Sequence, residues 1–272
     1  MTTDLLFTVE NGIARITLNR PERLNAFSIE MIDAWIKALE EVRDSEEVKV
    51  LIISGNGRGF CSGGDIKSML NGQGFLYSEG NEDLTSTALA RKNVIWKRVQ
   101  RVPLLLQEID KPVIAVIHGF AFGAGLDMAL ACDIRIAAEN TKIAESYIKA
   151  GIVPGDGGAY FLPRLIGVDK ALELLWTGQV LTAHEAKELG LITHVVDDDQ
   201  LGMFVEEYVQ KLIQGPQQAI RLTKRAVYQG LEMNLRSSLD MISSSLGIVT
   251  ELDDYHEGLK AIQEKRSPNF KG

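Results

Sequence analysis

The chain has 272 residues, 45% of them hydrophobic, with 29 Lys and Arg against 37 Asp and Glu. That length allows one or two domains with a full apolar core. The formal net charge of −8 argues against nucleic acid as a partner. A ligand carrying several phosphates would need a local basic site, because the overall field repels it. No stretch approaches the ~18 apolar residues of a membrane span. The opening MTTDLLFTVENG lacks a basic region followed by an apolar core, so no signal peptide is expected. Two cysteines, Cys61 and Cys132, give no disulfide framework and fit a reducing cytoplasm.

Leu5 to Val9 and Ile13 to Leu18 alternate around Asn11-Gly12, which predicts a hairpin. Pro21 turns the chain, and Ser28 is placed to cap a helix whose apolar residues Met31, Trp35 and Leu39 share one face. Val50 to Ile53 is an apolar β-branched run, read as a strand. A glycine turn and a short helix, Ile66 to Leu70, follow. Asn71 to Ser86 is polar and without period, a candidate lid or a plain surface loop. Ala88 to Ile109 has helical period, interrupted by Pro103.

Val113 to Ile117 is the next buried strand, followed by a second glycine turn, Gly119 to Gly125, and a helix from Leu126 to Cys132 with Asp127 in its first turn. Strands at Ile134 to Ala138 and Lys142 to Ala144 come next, then short helices over Gly158–Leu165, Asp169–Thr177 and Ala183–Leu189. After Asp197 the pattern changes to long amphipathic helices over Leu201–Gln214, Pro216–Gly230 and Leu235–Leu252, with a further helical stretch from Glu257 to Arg266. The expected division is a core over 1–197 and a helical region over 198–272.

Two strand–glycine–helix turns stand out, Gly59-Phe-Cys-Ser-Gly63-Gly64-Asp65 and Gly119-Phe-Ala-Phe-Gly123-Ala124-Gly125. Glycine lets another group approach the main chain, and a helix start leaves N–H groups unpaired. Two N–H groups converging on one oxygen would stabilise an anion there. His118, His184 and His194 have no metal-ligand spacing and read as structural. Ser62 has no base paired with it by any motif, so no Ser–His–Asp arrangement is expected.

With these turns the chain resembles the crotonase superfamily, the enoyl-CoA hydratase/isomerase family. The resemblance runs through TLNRPERLNAFS (Thr17 to Ser28), GFCSGGDIK (Gly59 to Lys67), KPVIAVIHGFAFGAGLDMALACDIRIA (Lys111 to Ala137), GIVPGDGGAYFLPRLIG (Gly151 to Gly167) and AKELGLITHVV (Ala186 to Val196). It implies an α/β fold, a spiral of ββα units, with a C-terminal helical region that assembles a homotrimer or homohexamer. It implies an acyl-CoA thioester as substrate, with no cofactor beyond the coenzyme A that the substrate carries, and no metal.

By the same resemblance, the backbone N–H groups of Gly64 and Ala124 form the oxyanion hole. Arg23, Leu24 and Ala26 form one wall for the CoA, and Gly64, Asp65, Ile66 and Lys67 the other, with Ala124 and Tyr147 also against the substrate. Hydratases of the family carry glutamate where this chain has Asp127, and dienoyl-CoA isomerases carry aspartate. The second hydratase glutamate falls at Tyr147, so its replacement is open among Glu145, Asp156 and Tyr147, in that order. The implied activity is that of an enoyl-CoA hydratase-type lyase acting in fatty acid metabolism. Double-bond isomerisation is the alternative, then thioester hydrolysis or acyl-CoA binding without turnover.

Overall fold

The computed structural model describes residues 3–72, 74 and 88–272. The expected lid, Asn71 to Ser86, lies outside the described residues except for Asn71, Gly72 and Gly74. The chain opens with β1 (Leu5–Glu10) and β2 (Ile13–Leu18), joined through Asn11 and Gly12, both at positive φ (52° and 80°). Two such residues make the hairpin turn whose twist matches the flanking strands. Helix α1 (Ile29–Asp44) begins where the Ser28 hydroxyl accepts the Met31 N–H at 3.0 Å, and it buries Met31, Ile32, Trp35, Ala38, Leu39 and Val42.

Strand β3 (Val50–Gly55) leads to α2 (Ile66–Leu70), capped by the Asp65 side chain. The helical stretch after residue 87 is not uniform. Helix α3 (Ala88–Val94) passes through a π turn (Ile95–Val99) before α4 (Arg101–Glu108). Pro103 is buried in the first turn of α4. A proline two residues into a new helix sits among N–H groups that lack intrahelical partners anyway, so the break falls upstream of it.

Strand β4 (Val113–Ile117) leads into the second glycine turn, β5 (Phe120–Phe122) lies within it, and α5 (Ala124–Leu130) starts two residues before the expected Leu126. Then come β6 (Ile134–Ala138), β7 (Lys142–Ala144), a 3₁₀ turn (Ser146–Ala150), α6 (Gly158–Ile166), α7 (Val168–Thr177), β8 (Leu181–Thr182), α8 (Ala183–Glu188) and β9 (His194–Val196). Helices α9 (Leu201–Ile213), α10 (Gln217–Gly230), α11 (Leu235–Thr250) and α12 (Asp253–Glu264) complete the chain.

The larger sheet has the order β1-β2-β3-β4-β6-β9, parallel except for the β1–β2 hairpin; the smaller has the order β5-β7-β8. Alternation along β3 sends Leu51 and Ile53 into the main core with α1, and Val50 and Ile52 into a second core with Val205 and Val209 of α9. Both faces are thus covered, as a parallel sheet requires. Polar contacts tie α10 down: Arg221 to Asp110 at 2.9 Å, Lys224 to Asp133 at 2.7 Å and the Tyr228 hydroxyl to Asp133 at 2.8 Å. Helix α11 buries no residue, and Leu235, Leu246 and, on α12, Ile262 are 74, 61 and 77% exposed. No helix among the described residues is long and apolar enough to cross a membrane.

The two glycine turns meet main chain to main chain. Phe122 N–H donates to Cys61 O at 3.0 Å, and a parallel bridge pairs Cys61 with Ala121. A Cβ on Gly125 would fall 2.5 Å from Cys61 O. Helix propensity alone predicts that Gly125→Ala stabilises α5 by about 1 kcal/mol. The contact predicts the reverse, because the obstructing atom is backbone and cannot swing away. Overpacking of this kind costs about 1–3 kcal/mol, so Gly125→Ala should lower the denaturation midpoint in urea. A rise would place the close approach elsewhere.

Candidate active site

A cavity of about 350 Å³ opens beside the paired turns, lined by Ser62, Gly64, Ile66, Met69, Ile95, Gly123, Ala124, Ser146, Tyr147, Ala150, Ile152, Val153, Gly155 and Asp156. Aliphatic side chains supply most of its wall, with Ser62, Ser146, Tyr147 and Asp156 as its polar members, a combination suited to an apolar ligand with one reactive group. The π turn of the α3–α4 region brings Ile95 to this wall, and Gln100 just after it donates to Gly155 O at 2.7 Å, fixing the Gly151–Gly158 loop.

Gly64 and Ala124 are both on the wall, one from each turn. Phe27 N–H donates to Gly63 O at 2.8 Å and Ser62 N–H to Leu24 O at 3.0 Å, which pins the first turn. Gly123 N–H donates to Ala144 O at 2.9 Å, which pins the second. A Cβ on Gly63, itself at φ 87°, would lie 3.1 Å from Ala124 N. Among the described residues the Gly64 and Ala124 N–H groups have no hydrogen-bond acceptor.

Tyr147 and Asp156 of this wall belong to a cluster of buried acids and a phenol. Asp127 on α5 is fully buried, and Glu145, Tyr147 and Asp156 are 1, 9 and 5% exposed. The Tyr147 hydroxyl is 2.7 Å from Asp127 Oδ2 and 2.8 Å from Asp156 Oδ2. The backbone N–H groups of Gly158 and Asp156 face Asp127 and favour its charged form. A Cβ on Gly158 would come within 2.3 Å of Asp127 Oδ1, so glycine there is the condition for the carboxyl to fit. Glu145 sits against Asp127, yet neither of its oxygens, nor Asp127 Oδ1, has a donor if both groups are ionised. A proton on Glu145 supplies the missing donor.

Burial, then the charges of Asp127 and Asp156, push the Glu145 carboxyl well above the usual carboxylate range. Burial, then the charge of Asp127, raises Asp156 to about 7. Burial also raises Asp127, but the hydrogen bonds from Tyr147, Gly158, Glu145 and Asp156 oppose it. Burial and the two aspartate charges push the Tyr147 phenol up in turn. Asp127 is the member best able to hold a negative charge, because the phenol donates to it and the Gly158 and Asp156 N–H groups face it.

The sequence order Glu145, Asp156, Tyr147 for the second acid–base group does not match this placement. Tyr147 and Asp156 line the cavity, while Glu145 and Asp127 lie behind them. Glu145 ends the inward-facing run after β7, and the 3₁₀ turn that starts at Ser146 carries Tyr147 round to the wall. Sequence reading also left out Ile95, Met69, Ile152 and Val153. The last two stand in a glycine- and proline-rich loop with no period, and a π turn has no pattern that would reveal Ile95.

Of the residues expected at the CoA, Arg23, Leu24, Ile66 and Lys67 are exposed, and Ala26 and Asp65 are buried. Leu24 and Asn25 both hold φ near 55°, and the buried Asn25 amide donates to the Asn56, Gly59 and Phe60 carbonyls, tying this turn to the first glycine turn. Burial raises the Asp65 carboxyl, but the Ser68 N–H and the Arg20 and Arg23 charges outweigh it, so the group titrates below its ordinary value. Arg23 and Lys67 form no ion pair among the described residues, unlike Arg20, which faces Asp4 and Asp65. His118 meets the Gly57 carbonyl, His184 meets Glu139, and His194 packs on Phe204 and Tyr208. Among the described residues no set of His, Cys, Asp and Glu is arranged to hold a metal ion.

Known proteins share this architecture. Residues 8–272 match the enoyl-CoA hydratase/isomerase family. The chain is 35% identical to the 1,2-epoxyphenylacetyl-CoA isomerase of Escherichia coli (strain K12), covering 98% of each chain. It is 32% identical to the crotonyl-CoA hydratase of Syntrophomonas wolfei, covering 98% of this chain and 97% of that one. The crystal structure of an enoyl-CoA hydratase from Bacillus anthracis superposes with a TM-score of 0.87 at 32% identity, over 99% of both chains. With its spiral α/β fold, its helical C-terminal region and a match over nearly its whole length, the chain belongs to the enoyl-CoA hydratase/isomerase family of enzymes, the crotonase superfamily.

Proposed function

We propose that the protein is a lyase of the enoyl-CoA hydratase type, adding water across the double bond of an enoyl-CoA thioester, with coenzyme A entering as part of the substrate. The observation that carries this reading is the pair of acceptor-free N–H groups, Gly64 and Ala124, on the wall of an apolar cavity that ends in buried acids. A thioester oxygen seated between the two N–H groups gains most when it carries the enolate charge, so the pair lowers the barrier rather than merely binding. The cluster of Asp127, Glu145, Tyr147 and Asp156 handles the protons. Arg23 and Lys67, exposed and free of ion pairs among the described residues, are the cations that meet the CoA phosphates, a local correction to the acidic field.

The exposed apolar faces of α11 and α12 support assembly into a homotrimer or homohexamer, since a monomer rarely leaves so much apolar surface open. A groove of about 390 Å³ between α10, α11 and α12, lined by Leu246, Val249, Leu252, Leu259 and Ile262, adds to that surface. Burial pushes both cysteine thiols up to about 12, which leaves them inert and in keeping with a reducing cytoplasm.

Purified protein should bleach the absorbance of trans-2-enoyl-CoA thioesters and incorporate solvent oxygen from heavy-oxygen water. Double-bond movement without oxygen incorporation would make it an isomerase. Ala124 is the first residue of α5, a position where proline fits the backbone and removes only the N–H. Ala124→Pro should therefore fold and lose about 10²–10³ in turnover, while Ala124→Gly keeps most of it. An active Ala124→Pro enzyme removes this N–H from the chemistry. Light scattering should give a mass of three or six chains, and a stable monomer at micromolar concentration would contradict the assembly.

A further inference from the structure

The phenol of Tyr147 has one hydrogen and two carboxyl neighbours, at 2.7 and 2.8 Å. If both aspartates were ionised, one of these contacts would set two lone pairs against each other without a proton between them. Both can be hydrogen bonds only if one carboxyl is protonated and donates to the phenol oxygen. Asp127 stands in the first turn of α5, where the helix end favours a carboxylate, and the Gly158 and Asp156 N–H groups face it, so it is the acceptor. The donor is Asp156, which also lines the cavity. The resting order is a chain, from the Asp156 carboxylic acid to the Tyr147 hydroxyl to the Asp127 carboxylate.

We propose that Tyr147 and Asp156 are the groups that exchange protons with the substrate, and that Asp127 is a positioning carboxylate behind them which receives and returns the phenol proton. The proposal rests on the hydration reading above. As water attacks the β-carbon, its oxygen forms the new bond and the π pair moves to the thioester oxygen facing Gly64 and Ala124. The water proton passes to the Tyr147 oxygen while the phenol proton moves to Asp127. The enolate then collapses, and its α-carbon takes the proton of Asp156. A return shift from Asp127 through Tyr147 to Asp156 restores the starting state. One water has been added, and every group carries its original charge. Tyrosine at this position thus does what a second carboxylate facing the cavity would do, without placing a further negative charge among three buried acids.

The titratable groups facing Asp156 are Asp127 on α5, Tyr147 and Glu145 from the stretch after β7, and the Cys61 thiol of the first glycine turn. No lysine or arginine pairs with any of the three acids among the described residues. As an acid, Asp156 works while protonated, so kcat/KM should fall as pH rises through about 7. Removing the Asp127 charge removes one cause of that high value, so Asp127→Asn should move the falling limb to lower pH, a displacement that a purely structural role would not produce.

The test uses the full chain and a series of trans-2-enoyl-CoA thioesters. Tyr147→Phe and Asp156→Asn should each lose about 10²-fold or more in kcat, with KM within a few-fold. Wild-type activity beside undiminished turnover in Tyr147→Phe would overturn the relay and leave the hydration reading standing. Wild-type protein inert on every thioester would overturn the hydration reading, and the relay with it. If Tyr147→Phe fails to fold, the wild-type profile decides: a kcat/KM level from pH 6 to pH 9 would remove Asp156 as the acid, and a fall near neutrality that moves down in Asp127→Asn would sustain it.

Discussion

The contact between Cys61–Gly63 and Phe122–Gly125 is the constraint from which the site follows. Two main chains can approach this closely only where side chains are absent on the facing positions. A Cβ at Gly63 would fall 2.8 Å from Phe122 O, and one at Gly125 would fall 2.5 Å from Cys61 O. The approach brings the ends of two separate strand–turn units together, so that Gly64 and Ala124 face one cavity. Each turn is held from outside by a different part of the chain, the first by Phe27, Leu24 and Asn25, the second by β7. On the proposed reading, a pair of N–H groups prepared in this way would need no reorganisation as charge develops between them, which is where such groups gain their effect.

The same helix that begins at Ala124 carries Asp127 one turn later, so the N–H pair and the buried carboxylate have a fixed spacing. Gly158 completes the arrangement from the far side, its missing side chain leaving room for Asp127 Oδ1. Three carboxyls in one desolvated pocket cannot all ionise. The cluster settles this by donor count. Asp127 accepts the phenol and stands in the first turn of α5, whereas Glu145 has no donor at all. Charge therefore rests on the residue that the fold supplies with hydrogen bonds, and the protons rest on its neighbours.

Much of this was legible in the sequence, for identifiable reasons. The strands before both turns are β-branched runs bounded by glycine, and Ser28 is a standard helix cap, so the elements that place Gly64, Ala124 and Asp127 could be read directly. The order of the acids could not. Glu145, Tyr147 and Asp156 fall within twelve positions, and which of them faces the cavity depends on a 3₁₀ turn and an irregular glycine loop, neither of which has a hydrophobic period. The break in the α3–α4 stretch was visible through Pro103, yet the form it takes, a π turn that aims Ile95 at the cavity, depends on tertiary packing. The start of α5 was read two residues late because Ala124 and Gly125 look like part of the turn. Gly125 is there for the close approach and not for helix formation.

The C-terminal helices obey a different logic from the core. Helix α9 covers the outer face of the large sheet with Val205 and Val209, and α10 is fastened by ion pairs to Asp110 and Asp133. Both are therefore anchored within the chain itself. Beyond α10 this anchoring ends: α11 buries no residue, and α12 buries only Ala261. Leu235, Leu246 and Ile262 are far more exposed than Met31, Trp35 and Leu39 of α1, which are wholly inside. An amphipathic helix gains most of its stability from tertiary packing rather than propensity, and in α11 and α12 much of the apolar face has no such packing within this chain. Asp133 lies at the hinge of this arrangement. It holds Lys224 and Tyr228 of α10 and accepts the Val113 N–H at the start of β4, the strand that leads directly into the second glycine turn. The seating of the helical region and the backbone of the site are thus joined through one carboxylate.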